Sequence, residues 1–414
     1  MTAQYRPRHV APLLALAMLP LPALAAQDAG PGTWLDLRYR HERVDQSGFG
    51  EDAVANTLRL RVGARSAPWH GWSALAEADA VLGQDDGRYN DTRNGRRAYP
   101  VVADPAGAEI NQALLRHAGT RTVATLGRQR INLDNQRFVG GSAWRQNEQT
   151  YDGVHLQLAA TPRLALDYAW IGGVSTIFGP ADSSASTGAN PSDSSGDSHL
   201  LRAALQLAPP LRLVAYHYRV ELEDMAVTAA APLGTLDSRT SGLRLEGSRG
   251  RWSYAGEYAR QRDLAGNPWR LDSRYVLAEL GYALAGGSVL KAGYESLGGG
   301  EGEGNRAFQT PLATRHAFQG WADVFLTTPA QGVDDRYAGA TVPLAGGSLQ
   351  AWYHDFAAER GGGSYGRELD VSYAHAVPGV QGLTGLLKLA RYRSDDPAYS
   401  ADTGKLWLQL QYSY

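Results

Sequence analysis

LWLQLQYSY, from Leu406 to Tyr414, is the stretch that decides the fold, because its residues alternate between an apolar row and a mostly polar row. Successive side chains of a β-strand point to opposite faces, so the three leucines and two tyrosines share one face. The amides, the serine and Trp407 share the other face. This pattern predicts a strand with lipid on one side and water on the other. An edge strand of a soluble sheet is the alternative, although such sheets seldom end on an aromatic residue.

The two ends of the chain agree on the compartment. The terminal strand is similar to the last strand of bacterial outer-membrane barrels, which makes the barrel-assembly machinery an expected partner. At the other end, Arg6 and Arg8 precede the apolar run 10–24, and Ala23-Leu24-Ala25 fits a cleavage site. The run is too short and too rich in proline for a good membrane-spanning helix. We therefore expect residues 1–25 to be a cleaved signal peptide and residues 26–414 to form a single barrel domain.

The composition narrows the class of protein. The chain has 48 Gly, 21 Tyr, 10 Trp and no Cys, which excludes a Cys-ligated metal or a thiol nucleophile. Its 40 basic and 42 acidic residues give a net charge of −2, or 38 against 42 and −4 once Arg6 and Arg8 are removed. Nothing in this balance indicates nucleic acid as a partner. A membrane protein without long apolar helices must be a closed barrel, because only then is every backbone group satisfied in lipid.

After the signal peptide, the chain divides into alternating segments of about ten residues separated by turn residues. Short and long connections alternate, provided that a nineteenth segment, Phe318 to Leu326, belongs to one long external loop from Ser296 to Asp335. The sequence therefore predicts an all-β fold, a transmembrane antiparallel β-barrel of 18 strands with eight short periplasmic turns and nine external loops. The strands are predicted near residues 34–44, 54–66, 72–82, 109–117, 121–131, 149–159, 164–174, 199–207, 211–221, 239–247, 252–262, 274–283, 288–296, 336–344, 348–358, 367–377, 383–393 and 405–414.

The alternation also predicts which charged side chains face the lumen, since charge on the lipid face would cost several kcal/mol near the bilayer midplane. In strand sixteen, Glu368 and Asp370 are predicted to face inward. Four arginines on strands one and two form a predicted cationic wall, which two carboxylates of strand three would partly offset. Rings of arginine set an anion preference in pores. The alternative is that a wide lumen is lined with charge simply because it is wet. The predicted wall residues are Arg38, Arg40, Arg59, Arg61, Glu77 and Asp79.

The segment Gly127–Asp152 is unusually dense in charged and amide side chains. A loop folded into the pore needs groups that satisfy one another's hydrogen bonds, and this segment supplies them. We interpret it as a constriction, with a solvated external cap as the alternative. Its predicted pore-lining or solute-contacting residues are Arg128, Arg130, Asp134, Asn135, Arg137 and Arg145.

Several strings resemble the alginate-export family of outer-membrane proteins, and the resemblance runs from about Trp34 to Tyr414. It implies an eighteen-stranded exporter of polyuronate with an arginine-rich lumen. The strings that carry it are YNDTRNG (89–95), YPVVADP (99–105), EINQALL (109–115), GRQRINLDNQRFVG (127–140), WRQNEQTYD (144–152) and QTPLATRHAFQGWADVFLTTPAQGVDD (309–335).

These observations predict an outer-membrane channel for anionic or polar solutes, among them uronate-type, alginate-like saccharides. The expected partners are outer-membrane lipid and lipopolysaccharide, together with an anionic saccharide or small anion as solute. A receptor or adhesin that acts through the external loops is the alternative. The histidines lie in no G-x-S-x-G or H-E-x-x-H spacing, so we do not expect an enzyme. No cofactor is implied.

Overall fold

A computed structural model describes residues 30–84, 87–180, 188–264 and 266–414, so the predicted signal peptide lies outside the described residues. The described chain forms one closed sheet of 18 antiparallel strands, in which each strand pairs with its neighbours in sequence and the first pairs with the last. The predicted barrel is confirmed. The strands are β1 Gly32–Gln46, β2 Ala53–Arg65, β3 Trp72–Gln84, β4 Gly107–Ala118, β5 Thr122–Gln129, β6 Thr150–Thr161, β7 Leu164–Ser175, β8 Asp193–Ala208, β9 Leu211–Val220, β10 Ser238–Arg249, β11 Trp252–Asp263, β12 Asp272–Ala283, β13 Val289–Gly298, β14 Gly332–Leu344, β15 Gly347–Ala357, β16 Ser364–Ala376, β17 Leu383–Ser394 and β18 Thr403–Ser413.

Each strand overlaps its predicted segment, and the largest difference is at β8. This strand begins at Asp193 rather than near residue 199. The first residues of β8 are rich in serine and glycine, and the Ser195 hydroxyl donates to Asp224 at 2.9 Å. Asp193, Ser194 and Ser195 also pair with the end of β7, so the strand continues beyond the segment that hydrophobic alternation marks.

Two 3₁₀ turns, Ala285–Gly287 and Arg315–Ala317, interrupt the connections. Among the described residues, none of the helical segments has the length and apolar character needed to cross a bilayer.

The two faces of the wall differ in exposure as the alternation predicts. In β1 the outward Tyr39 is 38% exposed whereas the neighbouring Arg40 is 1% exposed. In β18 the outward Leu408 is 46% exposed and Trp407 is fully buried. The exposed outward row is apolar because lipid covers it in an integral outer-membrane barrel.

The barrel closes between its first and last strands. The backbone of Leu35 exchanges two hydrogen bonds with Tyr414, at 3.0 and 2.8 Å, and Asp36 lies opposite Ser413. Closure leaves no unpaired sheet edge in the bilayer. Short turns and this pair of strand ends lie at the same end of the barrel, which is the periplasmic end in bacterial barrels.

The inside of the barrel is filled in part by external loops. Phe318 to Leu326 is not a strand, as predicted, but its loop does not stay outside the barrel: the segment 299–331 packs against the inner wall. Its Phe308 and Phe325 are buried in a hydrophobic cluster with Tyr275, Phe356 and other inward side chains of the wall. The loops therefore position the candidate site inside the lumen.

Candidate pore constriction

Two external loops meet inside the lumen. We call residues 130–149, between β5 and β6, the constriction loop, and residues 299–331, between β13 and β14, the plug loop. The Gly140 backbone donates to the Leu312 carbonyl at 2.9 Å, and the Thr314 backbone donates to Gln136 at 3.0 Å. Gln136 has a positive φ of 63°, which turns the constriction loop sharply at this contact. The constriction loop, which the sequence analysis interprets as part of a pore constriction, thus lies against the plug loop on the inner side of the wall.

The joined loops divide the lumen into cavities above and below them. An external cavity of about 560 Å³ is lined by Trp144, Arg145 and Lys405 among other residues. A periplasmic cavity of about 920 Å³ lies below the loops, and beside it a cavity of about 450 Å³ is lined by Arg38 and Arg59. The backbone segment Ala143–Arg145 therefore lies between external and periplasmic space.

Arginines of β1 hold this partition from below. Arg38 donates from Nη1 to the carbonyls of Ala143, Trp144 and Arg145 at 3.0, 3.4 and 3.3 Å. Arg40 donates from Nη2 to the Trp144 carbonyl at 2.5 Å, and its guanidinium stacks 4.2 Å from the Trp144 ring. Part of the arginine hydrogen-bonding capacity is thus used to fix the constriction loop.

All four arginines of the predicted wall are buried on the inner face, and three of them are paired with carboxylates. Arg40 pairs with Asp104 at 3.4 Å, and Arg59 pairs with Asp36. Unpaired charge is costly in the low-dielectric space that the loops create, so ion pairs replace a bare cationic wall.

Arg61 is the most extensively paired of the four. It binds Asp79 at 2.6 Å and Glu148 at 3.0 Å. Asp79 belongs to the predicted wall, but Glu148 comes from the constriction loop. The same guanidinium therefore joins two strands of the wall to the loop.

Arg38 is the exception. No carboxylate of the described chain lies within 4.0 Å of its guanidinium, which bonds only backbone carbonyls and the Gln411 amide. It also lies directly opposite Arg59 on the neighbouring strand, and like charges in that position repel. Arg38 therefore lines the cavity of about 450 Å³ without an ion-pair partner among the described residues.

Glu77 collects several donors at the periplasmic side of the partition. It accepts from Arg130 at 2.5 Å, Asn111 at 2.8 Å and Trp34 at 2.7 Å. Arg130 also pairs with Glu148 at 2.6 Å. Burial would raise the pKa of Glu148, but Arg130 and Arg61 lower it to about 2. Arg130 keeps a partly exposed guanidinium at the periplasmic cavity.

Asp134 and Asn135 also lie on the periplasmic side of the constriction loop. Asp134 lines the periplasmic cavity, where it pairs with Arg202 at 2.6 Å and Arg212 at 3.5 Å. Asn135 accepts from the Arg137 backbone at 3.2 Å and so stabilises the local turn. The positions of both side chains are thus explained by these partners.

Arg137 and Arg128 do not have the predicted position at the pore. Arg137 is buried against Glu295 at 2.7 Å and anchors the constriction loop to the wall, away from the lining of the three cavities. Arg128 lies outside the lumen altogether. It is opposite Asp152, with which it pairs at 2.7 Å, on the same outward face as the exposed Leu126.

Arg145 is the predicted site residue that faces the external cavity. It pairs with Asp323 at 3.0 Å and Glu42 at 3.3 Å. The strong carboxylate environment raises its pKa despite burial. Arg145 thus joins β1, the constriction loop and the plug loop.

The plug loop is held by contacts that the sequence did not indicate. Two inward carboxylates of β16 accept from its backbone: Asp370 from Trp321 at 3.1 Å and Glu368 from Ala322 at 2.6 Å. The inward direction of both carboxylates was predictable from alternation. Two buried carboxylates need hydrogen-bond donors, and this need was a signal that some segment contacts them. The sequence does not show that the segment is the plug loop.

A lysine of β17 fastens both loops at one point. The Lys388 ammonium lies 3.8 Å from the Trp321 ring and 4.2 Å from the Trp144 ring, both within cation–π range. It also lies 2.7 Å from His316 Nε2. Trp144 and His316 stack with their ring centroids 4.6 Å apart. One side chain of the wall therefore contacts the constriction loop and the plug loop together.

His316 is neutral in this cluster. Burial lowers its pKa to about 3, although Asp323 opposes that effect. A neutral ring can donate from Nδ1 to Asp323 at 2.7 Å and accept at Nε2 from Lys388. Its fit to both neighbours makes His316 a connecting residue of the plug loop.

Gly320 allows the plug loop to approach the Glu368 carboxylate closely, and a substitution there tests whether the loop needs this contact. Gly320 has a φ of +79°, and a Cβ there would meet the Glu368 carboxylate, whereas Gly379 in a periplasmic turn has a φ of +80° with open space around it. An alanine costs about 1–2 kcal/mol of backbone strain at either position. We expect Gly320→Ala alone to displace the plug loop and to produce larger, noisier single-channel currents. Equal currents from Gly320→Ala and Gly379→Ala would contradict the role of this contact.

The chain is similar to a family of known sequences and to several solved structures. The model of a family described as "Alginate export" matches residues 34–315. The crystal structure of Acinetobacter baumannii OccAB4 is 15% identical over 94% of this chain and 99% of that chain, with a TM-score of 0.70. Pseudomonas aeruginosa OccK9 (OpdG) is 17% identical over 93% and 98%, with a TM-score of 0.68, and P. aeruginosa OpdL is 17% identical over 94% and 99%, with a TM-score of 0.66. No curated protein matches the chain in sequence. At these identities the solved structures share its barrel fold.

Proposed function

Because the chain belongs to the alginate export family, we propose that this outer-membrane, porin-like channel passes anionic solutes, among them uronate-type saccharides, through an arginine-lined lumen. Movement would be passive and would follow the concentration gradient of the solute. The observation that carries this proposal is the presence, on both sides of the partition at Ala143–Arg145, of cations that have no carboxylate partner among the described residues.

Arg38 is the cation on the periplasmic side. Its guanidinium faces the cavity of about 450 Å³ and has no carboxylate of the described chain within 4.0 Å. Its Nε and Nη1 donate to Gln411 and to the loop carbonyls, whereas Nη2 donates to none of them and can form a charge-assisted hydrogen bond to a carboxylate. A solute carboxylate in this cavity can therefore take the place that a protein carboxylate takes at Arg40 and Arg59.

Arg315 is the corresponding cation on the external side. It lines the external cavity, and its side chain donates to the Pro311 carbonyl at 3.0 Å. Burial, with a contribution from Arg137, lowers its pKa to about 10. It therefore remains protonated at neutral pH and can receive an anion that enters from outside.

Paired arginines between these two positions suit transport better than tight binding. Arg145 is held by Asp323 and Glu42, so a passing carboxylate would have to compete with protein carboxylates. Sites that bind weakly enough to release the solute are a condition for conduction. A uronate carries a carboxylate on each ring, which allows successive rings to contact successive arginines.

Recording from single channels in a planar bilayer tests the proposal. We expect uronate oligomers to block the current at concentrations about tenfold lower than neutral oligosaccharides of equal length, which corresponds to about 1.4 kcal/mol. The neutral oligosaccharides are the matched control, because they obstruct the lumen to the same extent. Equal block by both would refute anion recognition. A folded protein without any conductance would instead favour a receptor or adhesin that acts through the external loops.

A further inference from the structure

The outward face of the barrel carries an unusual cluster of arginines at the external ends of β9 to β12. We call these residues the arginine patch. All of them are exposed on the side of the wall that faces the membrane. The patch consists of Arg219, Arg239, Arg260, Arg262 and Arg274.

The strand register sets like charges directly opposite one another in this patch. Arg239 lies opposite Arg219 on one side and opposite Arg262 on the other. Arg260 lies opposite Arg274. Like charges in such cross-strand positions are destabilising unless an anion lies between them. The arrangement therefore favours an anionic ligand.

The carboxylates near the patch do not neutralise it. Glu221 pairs with Arg219 at 3.0 Å, and Glu359 pairs with Arg274 at 3.2 Å. Asp272 is shared by Arg260 at 2.5 Å and Arg262 at 4.0 Å. These three carboxylates thus pair with four of the five guanidinium groups, and the fifth belongs to Arg239.

Arg239 lies at the centre of the patch and has no ion-pair partner in the described chain. A guanidinium at this position, between two others, is free to bind a doubly charged anion. Phosphate oxygens match the planar fork of arginine through paired hydrogen bonds. The chemistry of the patch therefore fits a phosphate better than a single carboxylate.

Apolar side chains lie directly below the patch, toward the bilayer midplane. Leu243 of β10 is 56% exposed and Tyr258 of β11 is 54% exposed, and the two residues lie opposite each other. Acyl chains cover such side chains in the membrane. A ligand that occupies both surfaces has an acyl part next to Leu243 and a phosphorylated headgroup next to Arg239.

The opposite sector of the same rim lacks this excess of positive charge. Arg43 pairs with Asp52 at 2.5 Å, Arg393 pairs with Asp402 at 3.1 Å, and Arg391 lies 3.5 Å from Asp45. Each of these arginines has its own carboxylate. The accumulation of unneutralised arginine is therefore a local property of β9 to β12 and does not extend to this sector.

We propose that the arginine patch binds the phosphate groups of lipopolysaccharide in the outer leaflet, through the phosphorylated glycolipid at its membrane end. The four strands present these groups across about 14 Å, from three strand spacings of about 4.8 Å. This site is on the outside of the barrel and is independent of solute passage through the lumen.

Lipopolysaccharide retention by purified barrels tests the site. The triple variant Arg239→Gln, Arg260→Gln, Arg262→Gln is compared with the control Arg43→Gln, Arg391→Gln, Arg393→Gln, which removes the same charge from the same rim. We expect the patch variant to retain about tenfold less glycolipid per barrel in native mass spectrometry, and the control to retain as much as the unmodified protein. Equal retention by the two variants would overturn the proposal.

Further binding measurements identify the ligand, and a single variant keeps the test possible if the triple variant does not fold. Added glycolipid carrying both phosphates should bind to delipidated barrels, whereas the dephosphorylated glycolipid should not. Competition by millimolar inorganic phosphate alone would instead indicate a site for soluble anions and would overturn the lipid assignment. If the triple variant does not fold, Arg239→Gln alone is used, because Arg239 has no ion pair to lose, and unchanged binding of both glycolipid and phosphate would then refute the site.

Discussion

Replacement of residues 301–329 by a short glycine-serine linker is expected to raise the single-channel conductance by about fivefold, since barrels of this strand number enclose an aqueous channel when no loop fills them. The plug loop occupies the lumen through its buried Phe308 and Phe325 and closes against the constriction loop at Leu312. It contributes no strand to the wall. β13 and β14 pair directly from Gly298 and Gly332 onward, so the barrel should still close.

The matched control removes external residues that lie outside the lumen. Gly361 and Gly362 of the β15–β16 turn have open space around them, and their deletion should leave the conductance unchanged. Folding of both variants is checked by heat-modifiable migration in gels. A folded deletion variant with the original conductance would show that the plug loop does not obstruct the pore.

Neutralisation of Arg38 is expected to have the second largest effect, a shift of the reversal potential toward cations by about 20 mV under a tenfold KCl gradient, where a perfectly selective monovalent pore would give roughly 59 mV. Arg38 has no ion pair within 4.0 Å in the described chain, so Arg38→Gln removes a charge that no directly paired carboxylate of the described residues offsets. Screening acts over about 8 Å at physiological salt. The salt concentration on the dilute side of the gradient should therefore be kept well below the physiological concentration.

Arg128→Gln is the matched control for Arg38→Gln. It removes the same charge, but Arg128 lies on the outward face beside Asp152. Its reversal potential should equal that of the unmodified channel, and Arg38→Lys should also preserve it. Identical shifts for Arg38→Gln and Arg128→Gln would show that net charge alone, and not a cation in the lumen, sets the selectivity.

The strands were predictable because their signal is local. Alternation repeats every two residues, and the lipid on one side forces that alternation in every strand, from Leu35 in β1 to Leu410 in β18. The same local rule gave the inward direction of Arg38 and Arg40. It also contained the correct direction of Arg128, since Leu126 two residues earlier is plainly a lipid-facing residue. The density of polar residues in Gly127–Asp152 predicts a pore position for Arg128, whereas the alternation of faces in β5 predicts the outward one that the structure has.

The constriction was only partly predictable because its contacts are between residues far apart in sequence. Arg137 and Glu295 are separated by 158 residues, and Lys388 and His316 by 72. No periodicity indicates which inward carboxylate a loop will reach. The polar composition of Gly127–Asp152 predicts a loop that satisfies its own hydrogen bonds inside the lumen. The plug loop has a more apolar composition, which does not predict that it folds inward.

The joining of the first strand to the last has a consequence for the order of assembly. Asp36 bonds Ser413 across 377 residues, so this closing contact cannot form until almost the whole polypeptide has been delivered to the periplasm. A pairing between such distant segments forms slowly, and the unpaired edge of the first strand is exposed to aggregation meanwhile. The unfinished sheet must therefore be protected between export and closure, and this protection is needed until β18 has reached β1.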